Sequence, residues 1–200
     1  MAKNRKRKEI EKRSKIGRAA ARLFNQKGYL ETNMEHIAAS AKVSKGNLYY
    51  YFSTKEDILF FILSNYMDLA LENLEADLQK IENGFSKLRF FISRHVELYV
   101  NNVDEAKTLL HEKRSLSTKH YRDIAEKERT YYGIVSRLLR DLCNGPDRPS
   151  SDEVTVMTFL LFGMCNWIYS WYDIKGSVTP DKLSQLIWEI YTDGFKGMMD

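Results

Sequence analysis

The stretch Thr32–Lys55, TNMEHIAASAKVSKGNLYYYFSTK, leaves few choices of local structure. Met34, Ile37, Ala38 and Ala41 recur at helical spacing and give one apolar face built mostly of small residues. Thr32 or Asn33 is placed to cap that helix, and Glu35 stands three residues after Thr32, the spacing of a capping box. A turn follows at Lys42–Val43, and Ser44 caps a second short helix from Lys45 to about Phe52. Two short helices joined by a tight turn form a helix-turn-helix, whose second helix enters the major groove of DNA.

The residues of the second helix suit that role. Lys45, Gly46 and Asn47 form its first turn, the part of a recognition helix that reaches base edges. Lysine donates to guanine O6 and N7, and asparagine pairs with adenine. Glycine lets backbone approach backbone. Tyr49, Tyr50 and Tyr51 carry hydroxyls that can donate to phosphate oxygens, and three consecutive tyrosines on a helix cannot all face one core. Lys55 lies just beyond, where it is expected to neutralise a phosphate. The expected DNA-binding set is therefore Thr32, Ser44, Lys45, Gly46, Asn47, Tyr49, Tyr50, Tyr51 and Lys55, with Ile37, Ala38, Val43, Leu48 and Phe52 as the core beneath them.

This segment resembles the DNA-binding domain of TetR-family transcriptional repressors. The family pattern, roughly T-x-x-x-I-A-x-x-A-G-V-S-x-G-x-L-Y-x-Y-F-x-x-K-E-x-L, is met by Ile37, Ala38, Ala41, Val43, Ser44, Gly46, Leu48, Tyr49, Tyr51, Phe52, Lys55, Glu56 and Leu59. The chain departs from it at Lys42, where the family has glycine. A lysine held in the left-handed conformation of that turn costs about 1 kcal/mol relative to glycine.

Charge divides the chain in the same place. Residues 1–55 hold 14 Lys+Arg against 4 Asp+Glu, whereas residues 56–200 hold 17 against 23. A basic quarter on an acidic remainder reads as a polyanion-binding head on a body with another task. The boundary is set at residues 1–54 for the helix-turn-helix head with its basic N-terminal arm, and 55–200 for the body. Residues 1–8, MAKNRKRK, read as a tail without structure. The two cysteines, Cys143 and Cys165, have no metal-ligand spacing and suit a reducing cytoplasm. No run of 18 apolar residues is present, so no membrane span is expected.

The body reads as wholly helical, which makes the chain an all-α protein of about nine helices. A first helix runs to Lys27 with Gly28 as its stop, and a long helix spans about Lys55 to Gln79. Shorter helices follow over Phe85–Val100 and Asp104–Leu116, then one to Cys143. The breaker run Asn144–Ser150 precedes a very apolar helix from Ser151 to about Ile174. The last helix opens with Thr179 as cap and Pro180 at its first position, and has Leu183, Leu186, Ile187, Ile190, Gly194 and Met198 on its inner face. Trp188 and Tyr191 leave apolar surface over, which suggests that the last two helices pair with those of a second copy in a four-helix bundle. The resemblance implies the same arrangement. A two-fold dimer would present two recognition helices to a palindromic operator in double-stranded DNA.

The body carries no G-x-S-x-G elbow, P-loop, H-E-x-x-H or Gly-rich dinucleotide turn, so no catalytic residue, metal or cofactor is assigned and an enzyme is not expected. His95 lies on an apolar stripe and reads as a buried, satisfied histidine. Trp167 and Trp171 stand at i and i+4 on the apolar helix beside Asn166, and Lys113, Arg114, Arg122, Arg137 and Arg140 supply cations on the two preceding helices. Such a set suits a ligand with an apolar tail and an anionic head. The segments HEKRSLSTKHYRDIAEKERTYYGIV and CNWIYSWYDIKGSVTP resemble the C-terminal domain of a TetR subgroup that senses acyl-coenzyme A thioesters and controls fatty-acid, steroid or aromatic-acid breakdown. The resembling residues include Arg114, Arg122, Asn166, Trp167 and Trp171, which are the expected effector contacts. The expectation is a cytoplasmic homodimeric repressor released from its operator by an acyl-coenzyme A. A TetR-type sensor of drugs or aromatic compounds, and a DNA binder without an effector, are the alternatives.

Overall fold

A computed structural model of the chain describes residues 2–143 and 148–194, with side chains from Arg7 onward. Met198 and the first four residues of the breaker run Asn144–Ser150 lie outside the described residues. Among the described residues there is no strand; there are ten α-helices and two short 3-10 segments. The chain forms two compact units, one from Met1–Asp68 with Asn102–Glu126, the other from Leu69–Asn101 with Lys127–Asp200.

The first unit is built on α1 (Ala2–Lys27), α2 (Met34–Ala41), α3 (Lys45–Tyr51), most of α4 (Lys55–Leu71), α7 (Val103–Glu112), a 3-10 turn at Lys113–Ser115 and the start of α8 (Thr118–Leu142). Its core holds Ile16, Ala20, Phe24, Ile37, Leu48, Phe52, Ile58 and Leu59. Small residues let α1 and α4 approach closely, since a Cβ on Gly17 would stand 3.1 Å from the Phe61 ring. The Asn25 amide of α1 donates to the Asp104 carbonyl at 2.9 Å, and the Tyr29 N–H donates to Glu112 at 3.3 Å. These bonds join α1 to α7.

The second unit holds α5 (Leu74–Gln79), α6 (Gly84–Asn101), the rest of α8, α9 (Ser151–Asn166), a 3-10 segment at Trp167–Ser170 and α10 (Pro180–Asp193). Ile92, Val96, Val135, Leu161, Ile168, Leu183 and Ile187 are buried in it.

The structure corrects four local expectations. The basic stretch 2–8 is helical and continues into α1, because Lys, Arg and Glu are good helix formers and no Gly or Pro intervenes before Gly17. The helix expected over 55–79 is two, since Asn73 takes φ 56° and breaks it; Leu74 is buried, and Leu69 is exposed. The apolar helix expected to reach Ile174 stops at Asn166. There the Tyr99 hydroxyl donates to the Asn166 carbonyl at 2.9 Å, and the following run Trp167–Ser170 tightens into a 3-10 turn. In α10 the inner residues are Leu183, Ser184 and Ile187, while Ile190 faces out and Gly194 is the C-cap with φ 71°.

Candidate nucleic-acid interface

Asn33, not Thr32, caps α2: its side chain accepts the His36 N–H at 2.8 Å, and the His36 ring accepts the Asn33 N–H in return. Glu35, expected in that capping role, points elsewhere. Lys42 takes the left-handed conformation, φ 54° and ψ 50°, and Val43 N–H returns to the Ala38 carbonyl at 3.0 Å. Ser44 caps α3 by accepting the Asn47 N–H at 3.1 Å. The two helices and their turn are therefore fixed by three local caps, one of which carries backbone strain.

Leu48 is fully buried and anchors α3. Around it the helix presents Lys45, Gly46, Tyr49 and Tyr50 to solvent, with Asn47 and Tyr51 half-buried. Tyr50 is the most exposed of the three tyrosines, at 70%, and packs edge-on against Tyr51, with centroids 5.0 Å apart. A Cβ added to Gly46 would meet nothing within 4 Å. Internal packing thus does not require glycine there.

The Lys45 ammonium donates to Glu35 Oε1 at 2.6 Å, linking the first turn of α3 to the first turn of α2. The hydrogen bond holds the Glu35 carboxyl below its usual range and raises Lys45. Sequence reasoning assigned Glu35 to the cap; nothing in a ten-residue separation across a turn signals this pairing.

Two expected members of the interface are engaged within the chain instead. Thr32 is 1% exposed, and its hydroxyl donates to the Gly28 carbonyl at 2.8 Å. Lys55 donates to the carbonyls of Tyr29 at 2.6 Å, Leu30 at 3.2 Å and Thr32 at 2.7 Å, and lies 4.2 Å from the centre of the Tyr29 ring. Three acceptors fill the three donors of an ammonium. Burial pulls its pKa down. Lys55 is therefore a clamp on the α1–α2 turn rather than a cation held out to a phosphate. Its neighbour Glu56 accepts the Ser117 N–H at 3.0 Å and faces His120 Nδ1 at 2.8 Å.

The expected effector contacts belong to two different units. Arg114 and Arg122 are exposed residues of the first unit, on the 3-10 turn and the start of α8. Trp167 and Trp171 belong to the second unit and are 62% and 60% exposed. Because α9 ends at Asn166, the two tryptophans do not share a face of one helix. Arg137, expected near an apolar cavity, forms an ion pair with Glu75 instead.

Asn166 has a different neighbourhood, inside the second unit. Its amide oxygen lies 3.1 Å from His95 Nε2, and the Tyr131 hydroxyl lies 2.9 Å from His95 Nδ1. An amide oxygen only accepts, so the proton sits on Nε2 and the tyrosine donates to Nδ1. Phe91 and Phe162 pack on the imidazole with centroids 5.9 and 5.5 Å away. Burial in this shell pushes the His95 pKa down to about 4, against the opposing hydrogen bond to Asn166. His95 is buried and satisfied, as the apolar stripe in the sequence implied, and its imidazole is neutral.

Among the described residues no helix is long and apolar enough to cross a membrane. Residues 16–61 match the family described as bacterial regulatory proteins, tetR family, and residues 83–195 match the tetracyclin repressor-like C-terminal domain. The chain is similar to the fatty acid metabolism regulator protein of Bacillus subtilis (strain 168), 26% identical over 145 residues, which cover 72% of this chain and 75% of that protein. Its fold is similar to a TetR-family transcriptional regulator from Bordetella parapertussis 12822, with TM-score 0.86 and 29% identity over 92% of this chain and 95% of that one. It is also similar to AibR, solved in complex with isovaleryl coenzyme A and operator DNA, with TM-score 0.77 and 28% identity over 90% of this chain and 97% of that one. The chain belongs to the TetR family of DNA-binding transcriptional regulators.

Proposed function

We propose that this regulator is a homodimeric repressor that leaves a palindromic operator when its body binds an acyl-coenzyme A thioester. Residues 1–54 read DNA, and residues 55–200 bind the effector and dimerise. The observation that carries the DNA-reading part is the solvent face of α3, where Lys45, Gly46, Tyr49 and Tyr50 stand around a buried Leu48. Lys45 and Asn47 contact base edges; Tyr49, Tyr50 and Tyr51 donate to phosphates. Gly46, with open space where a Cβ would be, lets the duplex come close to the helix.

The dimer forms through α9 and α10. Val156, Phe159 and Leu160 of α9 and Ile190 of α10 are exposed apolar side chains, a surface that a second copy would cover in an isologous contact.

The thioester assignment is supported by similarity to a fatty acid metabolism regulator and to AibR. Release requires that the effector bind the DNA-incompetent state better than the competent one.

Fluorescence anisotropy on DNA from the protein's own upstream region, at one fixed salt, tests the proposal. Long- and short-chain acyl-coenzyme A, the free acids and free coenzyme A are added in turn. Release by a thioester alone supports the full reading. Specific binding that no thioester relieves removes the effector assignment and leaves the regulator, with flat cationic drugs next to be screened.

A further inference from the structure

The ion pair across the helix-turn-helix has no evident structural purpose. Lys45 and Glu35 are largely solvent-exposed, at 62% and 55% of their side-chain surface, and an exposed pair of this kind contributes little to stability. Each helix has its own cap, from Asn33 and from Ser44, so the pair is not needed to close either one. Glu35 is also out of keeping with its surroundings. It is one of only 4 acids among the first 55 residues, and it lies beside the first residue of the helix proposed to read DNA.

We infer that Glu35 is a specificity-determining residue, which holds Lys45 so that it favours the neutral acceptor edge of a base over a phosphate. The inference rests on the DNA-reading role proposed for α3. An ammonium has three donors, and Glu35 takes one at 2.6 Å. The remaining two match guanine O6 and N7, which are neutral and can approach without repelling the carboxylate. A phosphate oxygen in the same place brings its charge against Glu35. Non-specific binding is dominated by phosphate contacts, so a carboxylate bound to the reading lysine penalises every wrong sequence more than the right one. Glu35 is thus a positioning residue, and its effect passes through Lys45.

The test compares dissociation constants for the upstream duplex that the wild-type chain protects and for a scrambled duplex of equal length, over a salt series. The proteins are wild type, Glu35→Gln, Lys45→Met and the double variant. Glu35→Gln should bind the scrambled duplex roughly 3- to 10-fold more tightly and lose a similar factor in specificity ratio, with a salt slope steeper by about two for the dimer as each Lys45 takes a phosphate. In the Lys45→Met background the same substitution should change the specificity ratio less than about twofold, as expected for a coupled pair. An unchanged ratio in Glu35→Gln overturns the inference. An equal change with and without Lys45 overturns it too, because Glu35 would then act on the duplex by charge alone. A wild-type chain with no preference between the duplexes overturns the DNA-reading proposal itself, a result distinct from both.

Discussion

The His120 ring lies flat on Phe60, with centroids 4.0 Å apart and planes 12° apart, and turns its Nδ1 to the Glu56 carboxylate at 2.8 Å. The same carboxylate accepts the Ser117 N–H at the start of α8. Glu56 is therefore a cap supplied by α4 to another helix. Its pKa is lowered chiefly by the bonds to Ser117, with His120 adding to them.

A depressed carboxylate stabilises the fold at pH values above its unfolded pKa, and that contribution disappears as pH falls through the folded value. Glu56→Gln should lower stability by about 1 kcal/mol at neutral pH, the typical loss of a cap. The difference from wild type should close in acid, below the ordinary carboxylate range. Urea unfolding at neutral and acidic pH checks both.

Lys55→Met should destabilise the first unit by about 1–3 kcal/mol, because three carbonyls lose a charged donor. Its salt slope for DNA binding should match wild type, since the ammonium is engaged within the chain. A slope reduced by about two for the dimer would instead make Lys55 a phosphate contact.

Lys42→Gly should raise stability by about 1 kcal/mol, since φ 54° is a conformation that only glycine adopts without strain. Thermal unfolding of the purified protein reads the change.

His95 keeps the wild-type fold sensitive to acid. With a pKa lowered to about 4, the folded chain resists a proton that the unfolded chain takes up near pH 6.5. The stability associated with neutral His95 is fully present above that unfolded value and declines as pH falls to about 4, by up to about 3 kcal/mol. His95→Phe should be less stable at pH 7, because Asn166 and Tyr131 lose their partner, yet its stability should fall less between those pH values.

Phe159→Asp with Leu160→Asp should yield a folded monomer by light scattering. Operator affinity should fall at least about tenfold, as one recognition helix replaces two.

Helix positions were readable wherever periodicity and caps agreed. Ser44, Gly28 and Thr179 mark ends in the sequence that stand as ends in the fold. The exposed face of α3 was readable too, because three adjacent tyrosines exceed what one buried face accepts. What stayed hidden depends on contacts distant in sequence. The clamp of Lys55 reaches back 23 to 26 residues, and the end of α9 is set beside a hydroxyl 67 residues away on Tyr99. Neither leaves a periodic trace. The tryptophans misled for the same reason: i, i+4 spacing means a shared face only while the helix continues.

Lys55 and Glu56 are consecutive, and they bind different segments of the protein's first unit. One holds residues 29–32, two short of α2, and the other holds the start of α8. The opening turn of α4 is thus a rivet through three segments. A shift of the α8 terminus relative to Thr32 must therefore either break one of these hydrogen bonds or carry the opening turn of α4 with it.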